Sequence, residues 1–404
     1  MSFQIKKSST SNVVQSSVTP VQVGGNDSQV YSNVANTFTF APENINQNTG
    51  EYLPADSIGS IQNSPSFGSR QFQFSCLAPN GNIYCGPNDS GNQYLIINPY
   101  TNTYSLRTSI LNTRAGGAVC AYNGKAYFPC YSGTPAKVRV LDTITNTEYL
   151  LDTEAGRGFY GAVLHPNGNI YCIPSDFPFN NPKVMVINPN NDNISYIDVS
   201  GISWPNTGIG DASGDDTWYG GVLALNGKIY GMPARGTSVL VIDPYNNTAQ
   251  CDVSGLTVYG LPVPTPGSQV NKFNGGVLAP NGYIYALPGS SLQNIYVLDT
   301  SNNTFTSTPQ IISTTRRCIG GTLAPNGKIY CSLDTGTFIA VIVPNPTTPA
   351  ITRYDIPTGS NANGTCLAPN GRVYILPRST QIKYIETGFP TQQPWMLAPE
   401  FNKH

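Results

Sequence analysis

Charge and histidine are what this chain has least of. Of its 404 residues, 11% are charged, two are histidine, and the formal net charge is −1. That leaves no basic excess to grip phosphates, so nucleic acid is not an expected partner. Histidine is the usual general base and metal ligand, and His165 and His404 form no cluster in the sequence. His165 is expected to be a partly exposed structural residue beside a turn. No Gly-x-Ser-x-Gly elbow, P-loop or His-Glu-x-x-His motif occurs. With three tryptophans there is also no aromatic array for a cofactor. The chain therefore reads as non-enzymatic, with no cofactor and no metal; a lyase or hydrolase is the weaker alternative. No run of 18 apolar residues is present, so no membrane span is expected. Met1–Ser8 has no apolar core, and Sec export is not expected. No stretch carries a sustained helical period.

Nine cysteines are present, and no Cys-x-x-Cys pair is among them. Cys85, Cys172 and Cys331 each follow a repeated tyrosine, and Cys76 and Cys366 each stand four residues before a repeated asparagine. Two other copies put Gly231 and Ala286 after the tyrosine, which reads as small buried hydrophobes. Disulfides or a metal cluster are the alternative.

What the chain has is a repeat. Asn-Gly-x-x-Tyr occurs at Asn80, Asn123, Asn167, Asn226, Asn281, Asn326 and Asn370, spaced by 43, 44, 59, 55, 45 and 44 residues. A period near 44 with two enlarged steps means one structural unit with local insertions. In one copy Gly275–Pro280 and Tyr283–Pro288 are apolar, strand-length runs around Asn281-Gly282. Such a pair suits a tight type I′ hairpin, which needs positive φ at both positions. Two further runs, Asn294–Asp299 and Thr304–Ser307, complete four antiparallel strands. That is the size of a propeller blade. The small first strand suits the crowded innermost position. The last unit has three clear strands, so a segment within residues 50–72 is expected to supply its fourth and leave no open edge.

The repeat resembles seven-bladed propellers of the Tyr-Val-Thr-Asn and NHL type, whose blades read Ala-x-x-Pro-(Asp/Asn)-Gly-x-x-Tyr. The resemblance implies an all-β, seven-bladed β-propeller over residues 71–388, with an extended arm at 1–70 and a tail at 389–404. Residues 1–70 are rich in Ser, Thr, Asn and Gln and cannot bury a core of their own. Ile5-Lys6-Lys7-Ser8, Thr19-Pro20 and Tyr31-Ser32-Asn33 are similar to the openings of bacteriophage fibre proteins, although Gly25-Asn26-Asp27-Ser28 replaces their Gly-Glu pair. The ending Trp395–Lys403 looks like that of propellers encoded by large phages and giant viruses. Trp395 and Phe401 could equally plug the ring or clamp its last blade. These resemblances imply a virion structural protein, assembled in the host cytoplasm. It would be held to other virion proteins through residues 1–70 and would present the propeller for attachment. A glycan-binding propeller that contacts host-surface sugars is the alternative.

Two insertions, Ser200–Thr217 and Val253–Asn271, join a fourth strand to the next first strand. The face they share gathers Arg114, Arg157, Trp204, Trp218, Lys272, Phe273, Arg316 and Arg317. Aromatic and cationic groups around a channel mouth suit sugars or acidic groups; bonds from these arginines to neighbouring blades are the plainer reading. Asp211, Asp215 and Asp216 lie in the first insertion. They read as either a solvated loop or a calcium loop without EF-hand spacing.

Overall fold

The computed structural model describes residues 3–5 and 14–16 and, within 57–388, all except 62–63, 66, 68–70, 89–91, 112–113, 132–136, 155–156, 176–181, 201–216, 237, 252–255, 257–270, 291, 313–316, 334–337, 356–361 and 378–380. The chain divides into two compact units, Met1–Glu43 and Asn44–His404. In the first unit, Phe3–Ile5 pairs antiparallel with Val14–Ser16.

The second unit is a seven-bladed β-propeller. Blade 5 shows the plan: Phe273–Leu278, Ile284–Pro288, Asn294–Asp299 and Thr304–Ile311 pair in sequence order, all antiparallel. The innermost strands of the other blades are Phe72–Leu77, Val119–Cys120, Phe159–Leu164, Trp218–Leu223, Cys318–Leu323 and Ala362–Leu367. They define blades 1, 2, 3, 4, 6 and 7. Blades 3 and 4 also join at their outer edges, where Val199 and Ser200 run parallel to Ala249 and Gln250.

Position in the blade sets the composition of each strand. Second strands such as Ile284–Pro288 are buried at every residue, because neighbouring blades cover both faces. Fourth strands alternate toward solvent, as in Asn193–Ser200. The apolar core is divided between the blade interfaces. One cluster joins Ile284 and Leu298 of blade 5 to Tyr230 and Met232 of blade 4. Another joins Tyr374 and Leu376 of blade 7 to Ile83 and Leu95 of blade 1, with Ile61 and Phe67 packed into the same seam.

Blade 7 takes its fourth strand from upstream. Ile58–Ser60 pairs antiparallel with Lys383–Ile385, opposing Gly59 to Tyr384. Residues 58–61 and Phe67 thus belong to the ring, inside the segment 1–70 that the sequence sets apart as an arm.

The repeated hairpin departs from the expected type I′ turn. Gly81 N–H donates to Ala78 O at 2.9 Å, and Ala78 N–H donates to Asn82 O at 2.9 Å. Gly81 has φ +82°, while Asn80 is not among the positive-φ residues. Pro79-Asn80-Gly81 is therefore a three-residue loop, a type I turn followed by a left-handed glycine. The same paired bonds recur at Gly124, Gly168, Gly227, Gly282, Gly327 and Gly371. Proline at the loop's first position fits this turn, since its fixed φ suits position i+1.

Candidate functional site

The inner strands run from the face with the fourth-to-first connections to the face with the Asn-Gly hairpins, so each face has its own chemistry. On the hairpin face the repeated asparagine is a stitch. Asn80 Oδ1 accepts from Asn82 N–H at 3.0 Å, while Nδ2 reaches Tyr84 Oη at 2.9 Å and Thr143 O of blade 2 at 3.1 Å. Cross-blade bonds of this kind run from Asn123 to Pro189 O, Asn226 to Thr300 O, Asn326 to Thr387 O and Asn370 to Pro99 O. The last of these spans the closing seam. The repeated Tyr127, Tyr171, Tyr230, Tyr285, Tyr330 and Tyr374 are fully buried.

His165 lies on this same face and is fully buried, not partly exposed. Its Nδ1 accepts from Asn167 N–H at 3.1 Å, so Nε2 carries the proton and donates to Gly227 O of blade 4 at 3.0 Å. Burial holds its pKa below the usual value, against the pull of the Asn167 side chain and the Gly227 carbonyl. A neutral imidazole committed at both nitrogens is a blade-to-blade contact.

On the opposite face the second residues of the inner strands converge. Tyr160 of blade 3 stacks on Tyr219 of blade 4, with centroids 3.7 Å apart and rings 13° from parallel. Phe74 of blade 1 meets Tyr160 edge-on at 4.9 Å, and Gln73 Nε2 donates to Tyr160 Oη. Blades 1 and 3 are not neighbours, so these contacts are made across the front of blade 2, toward the ring's axis. Blade 2 makes room with Gly116 and Gly117. Tyr131 joins from the end of its second strand, edge-on to Tyr160 at 5.5 Å. Each aromatic pair contributes roughly 0.5–1.5 kcal/mol beyond its burial.

One residue deeper, glycine forms a floor. Gly161, Gly220, Gly275, Gly320 and Gly364 all have positive φ, at bulges in the inner strands. A Cβ at Gly161 would lie 2.8 Å from Gly220 Cα, and one at Gly220 would lie 3.1 Å from Gly275 Cα. Blade 1 alone carries a large residue, Phe74, at this position. The far wall is amide: Asn274 Nδ2 donates to Cys318 O at 2.6 Å and Asn363 Nδ2 to Phe72 O at 2.8 Å.

The residues singled out in the sequence divide between this mouth and the core. Arg114 is at the mouth, its guanidinium 4.3 Å from the Tyr131 ring centroid and its Nε donating to Asn88 Oδ1 at 3.2 Å. Arg157 Nε pairs with Glu154 at 2.9 Å near the edge of blade 3. Trp218 and Phe273 are buried between blades, and Trp218 Nε1 donates to Ser238 O at 2.8 Å. Lys272 is buried as well, with Nζ donating to Arg235 O at 2.9 Å. Burial first, and then the Arg235 charge, draw its pKa down to about 8. Arg317 is half-buried. Trp204, Arg316, Asp211, Asp215, Asp216 and the tail with Trp395 and Phe401 lie outside the described residues. Sequence reasoning missed Phe74, Tyr131, Tyr160 and Tyr219. Strand alternation carries the signal for the two tyrosines: each directly follows a buried Phe159 or Trp218 and so points the other way.

All nine cysteines are free thiols, and only Cys120 is not buried. Among the described residues no group of His, Cys, Asp and Glu could hold a metal. No helix among them is long and apolar enough to cross a membrane.

No protein-family model and no curated protein matches the chain. Solved structures share its fold. A streptogramin B lyase superposes with TM-score 0.62 at 13% identity, over 82% of this chain and 97% of the lyase. A virginiamycin B lyase from Staphylococcus aureus, solved with quinupristin, gives TM-score 0.61 at 13% identity over 82% and 99%. The hydrazine synthase of Kuenenia stuttgartiensis gives 0.59 at 14% identity over 81% and 99%. At such identities the likeness establishes the propeller and nothing of its chemistry.

Proposed function

We propose that this protein is a non-enzymatic virion component that presents a β-propeller for attachment, with its N-terminal unit as the tether. The observation that carries the reading is where the ring closes. Ile58–Ser60 completes blade 7, and Met1–Glu43 forms a unit of its own, whose described strands, Phe3–Ile5 and Val14–Ser16, pair with each other. That unit holds most of the segment resembling phage fibre openings. The buried, doubly bonded His165 supports a non-catalytic ring, and reduced, buried thiols suit assembly in a reducing cytoplasm.

Purified virus particles test this directly. Mass spectrometry should find the chain in particles at a fixed ratio to the capsid protein. A chain lacking Met1–Glu43 should fold yet fail to co-purify. Absence of the full chain from particles, or equal incorporation of the shortened one, would refute the proposal.

A further inference from the structure

The channel mouth has a lopsided lining that ring closure does not require. Phe74, Tyr131, Tyr160 and Tyr219 gather on the side of blades 1 to 4. Beyond them, blades 5 to 7 bring Asn274, Gly275, Gly320 and Gly364 to the channel. Among the described residues, a Cβ placed on Gly275 or Gly320 would meet no atom within 4 Å, so the space in front of blades 5 and 6 is open at that depth. Asn274 Oδ1 is a buried acceptor that receives no hydrogen bond among the described residues. A buried acceptor without a donor is costly, and Asn274 as a whole is half-buried rather than sealed off.

We infer that this mouth is a binding subsite for one neutral pyranose ring of a glycan. A pyranose offers an apolar C–H face and a rim of hydroxyls. The first matches the half-buried aromatic cluster of Phe74, Tyr131 and Tyr160; the second matches phenol and amide groups held in fixed positions by their neighbours. A neutral ligand fits because the guanidinium of Arg114, at the mouth, is engaged by the Tyr131 ring and by Asn88. Fixed donors and rigid aromatics lose little conformational entropy on binding, which favours recognition by a shallow cup. The inference does not depend on the virion reading, since it concerns the isolated chain.

The test uses the full-length protein and calorimetric titration with cellotetraose, maltotetraose and chitotetraose, with sialyllactose and a trigalacturonate as acidic comparators. At least one neutral oligosaccharide should bind with Kd between about 1 μM and 1 mM. Phe74→Ala and Tyr131→Ala should each weaken binding about tenfold or more, while Arg157→Ala leaves it unchanged. Tyr160→Phe keeps the stack and removes one hydroxyl. It should fold like the parent and weaken binding less than Phe74→Ala, which keeps the test valid if a truncation unfolds. The inference fails if no neutral sugar binds up to about 10 mM, if only the acidic sugars bind, or if folded mouth variants bind like the parent.

Discussion

Glu148 shows how single residues fasten this ring. Its side chain is fully buried and takes four donors from blade 1: Tyr94 Oη at 2.6 Å, Arg107 Nη1 at 2.7 Å, Ser109 Oγ at 2.8 Å and Ile110 N–H at 3.0 Å. Burial alone would raise its pKa, but these donors outweigh burial and hold it below the usual 4.5. Asp192 does the same between blades 2 and 3, taking Tyr127, Tyr149 and Lys125, and its pKa is also lowered against burial. A depressed carboxylate contributes stability above its unfolded pKa and loses it as pH falls through the folded one. Unfolding in urea should therefore show midpoints that are flat near neutrality and fall below about pH 4.5. Glu148→Gln should cost about 2–3 kcal/mol at pH 7 and make that acid decline shallower. Lys272 differs in that its buried charge destabilises the fold at pH 7. Its folded pKa of about 8 lies below the usual 10.5, so between these values the unfolded chain binds more protons and this group's contribution rises with pH. Lys272→Met should raise the melting temperature at pH 7 and remove that rise between pH 8 and 10. A variant that melts lower at pH 7 would show that the bond to Arg235 O matters more than the buried charge.

At the scale of the element, the hairpin was legible as a hairpin and misread as a turn type. Asn-Gly between two apolar runs says that the chain reverses, but the bonding of the asparagine side chain favours the longer loop, which forms also where Tyr122 or Leu225 stands in place of the proline. Asn80 is retained less for a left-handed backbone than for an amide that holds its own loop and the next blade together. Asn326→Ala should thus disturb more than a local turn, because it removes bonds to Lys328 N–H, Tyr330 Oη and Thr387 O. We expect a loss of about 1–3 kcal/mol, read as a lower denaturant midpoint at unchanged m. Gly327→Ala tests the other half of the motif, since φ +79° strains any side chain there. The channel mouth was less legible, for a physical reason. The ring brings together Phe74 and Tyr160, which lie two blades apart, and no local period reports a contact across an axis. Trp218 and Phe273 drew attention as large aromatics upstream of strands, yet alternation sends them into the inter-blade core and leaves the mouth to their less conspicuous neighbours.

At the scale of the molecule, a propeller is held by its weakest interface, and here the seam is blade 7 against blade 1. It is closed three ways: by the strand Ile58–Ser60, by apolar packing of Ile61 and Phe67, and by Asn363 and Asn370 reaching Phe72 O and Pro99 O. Gly59 is the pivotal position in the strand, because a Cβ there would run into the Tyr384 ring opposite. Arg372 also covers that ring, 4.3 Å from its centroid, and pairs with Glu386 at 2.7 Å, so the tyrosine cannot swing aside without breaking further contacts. Gly59→Val should therefore displace the closing strand while leaving every sequence-local blade intact. Unpaired, Lys383–Ile385 becomes an exposed sheet edge, the kind of surface that recruits strands from other chains. We expect the variant to keep its far-ultraviolet β signature, to exchange amide protons in blades 7 and 1 faster than in blades 3 and 4, and to self-associate in sedimentation as concentration rises. A Gly59→Val protein that stays monomeric, with uniform protection around the ring, would mean that packing and the two asparagines hold the seam without the strand.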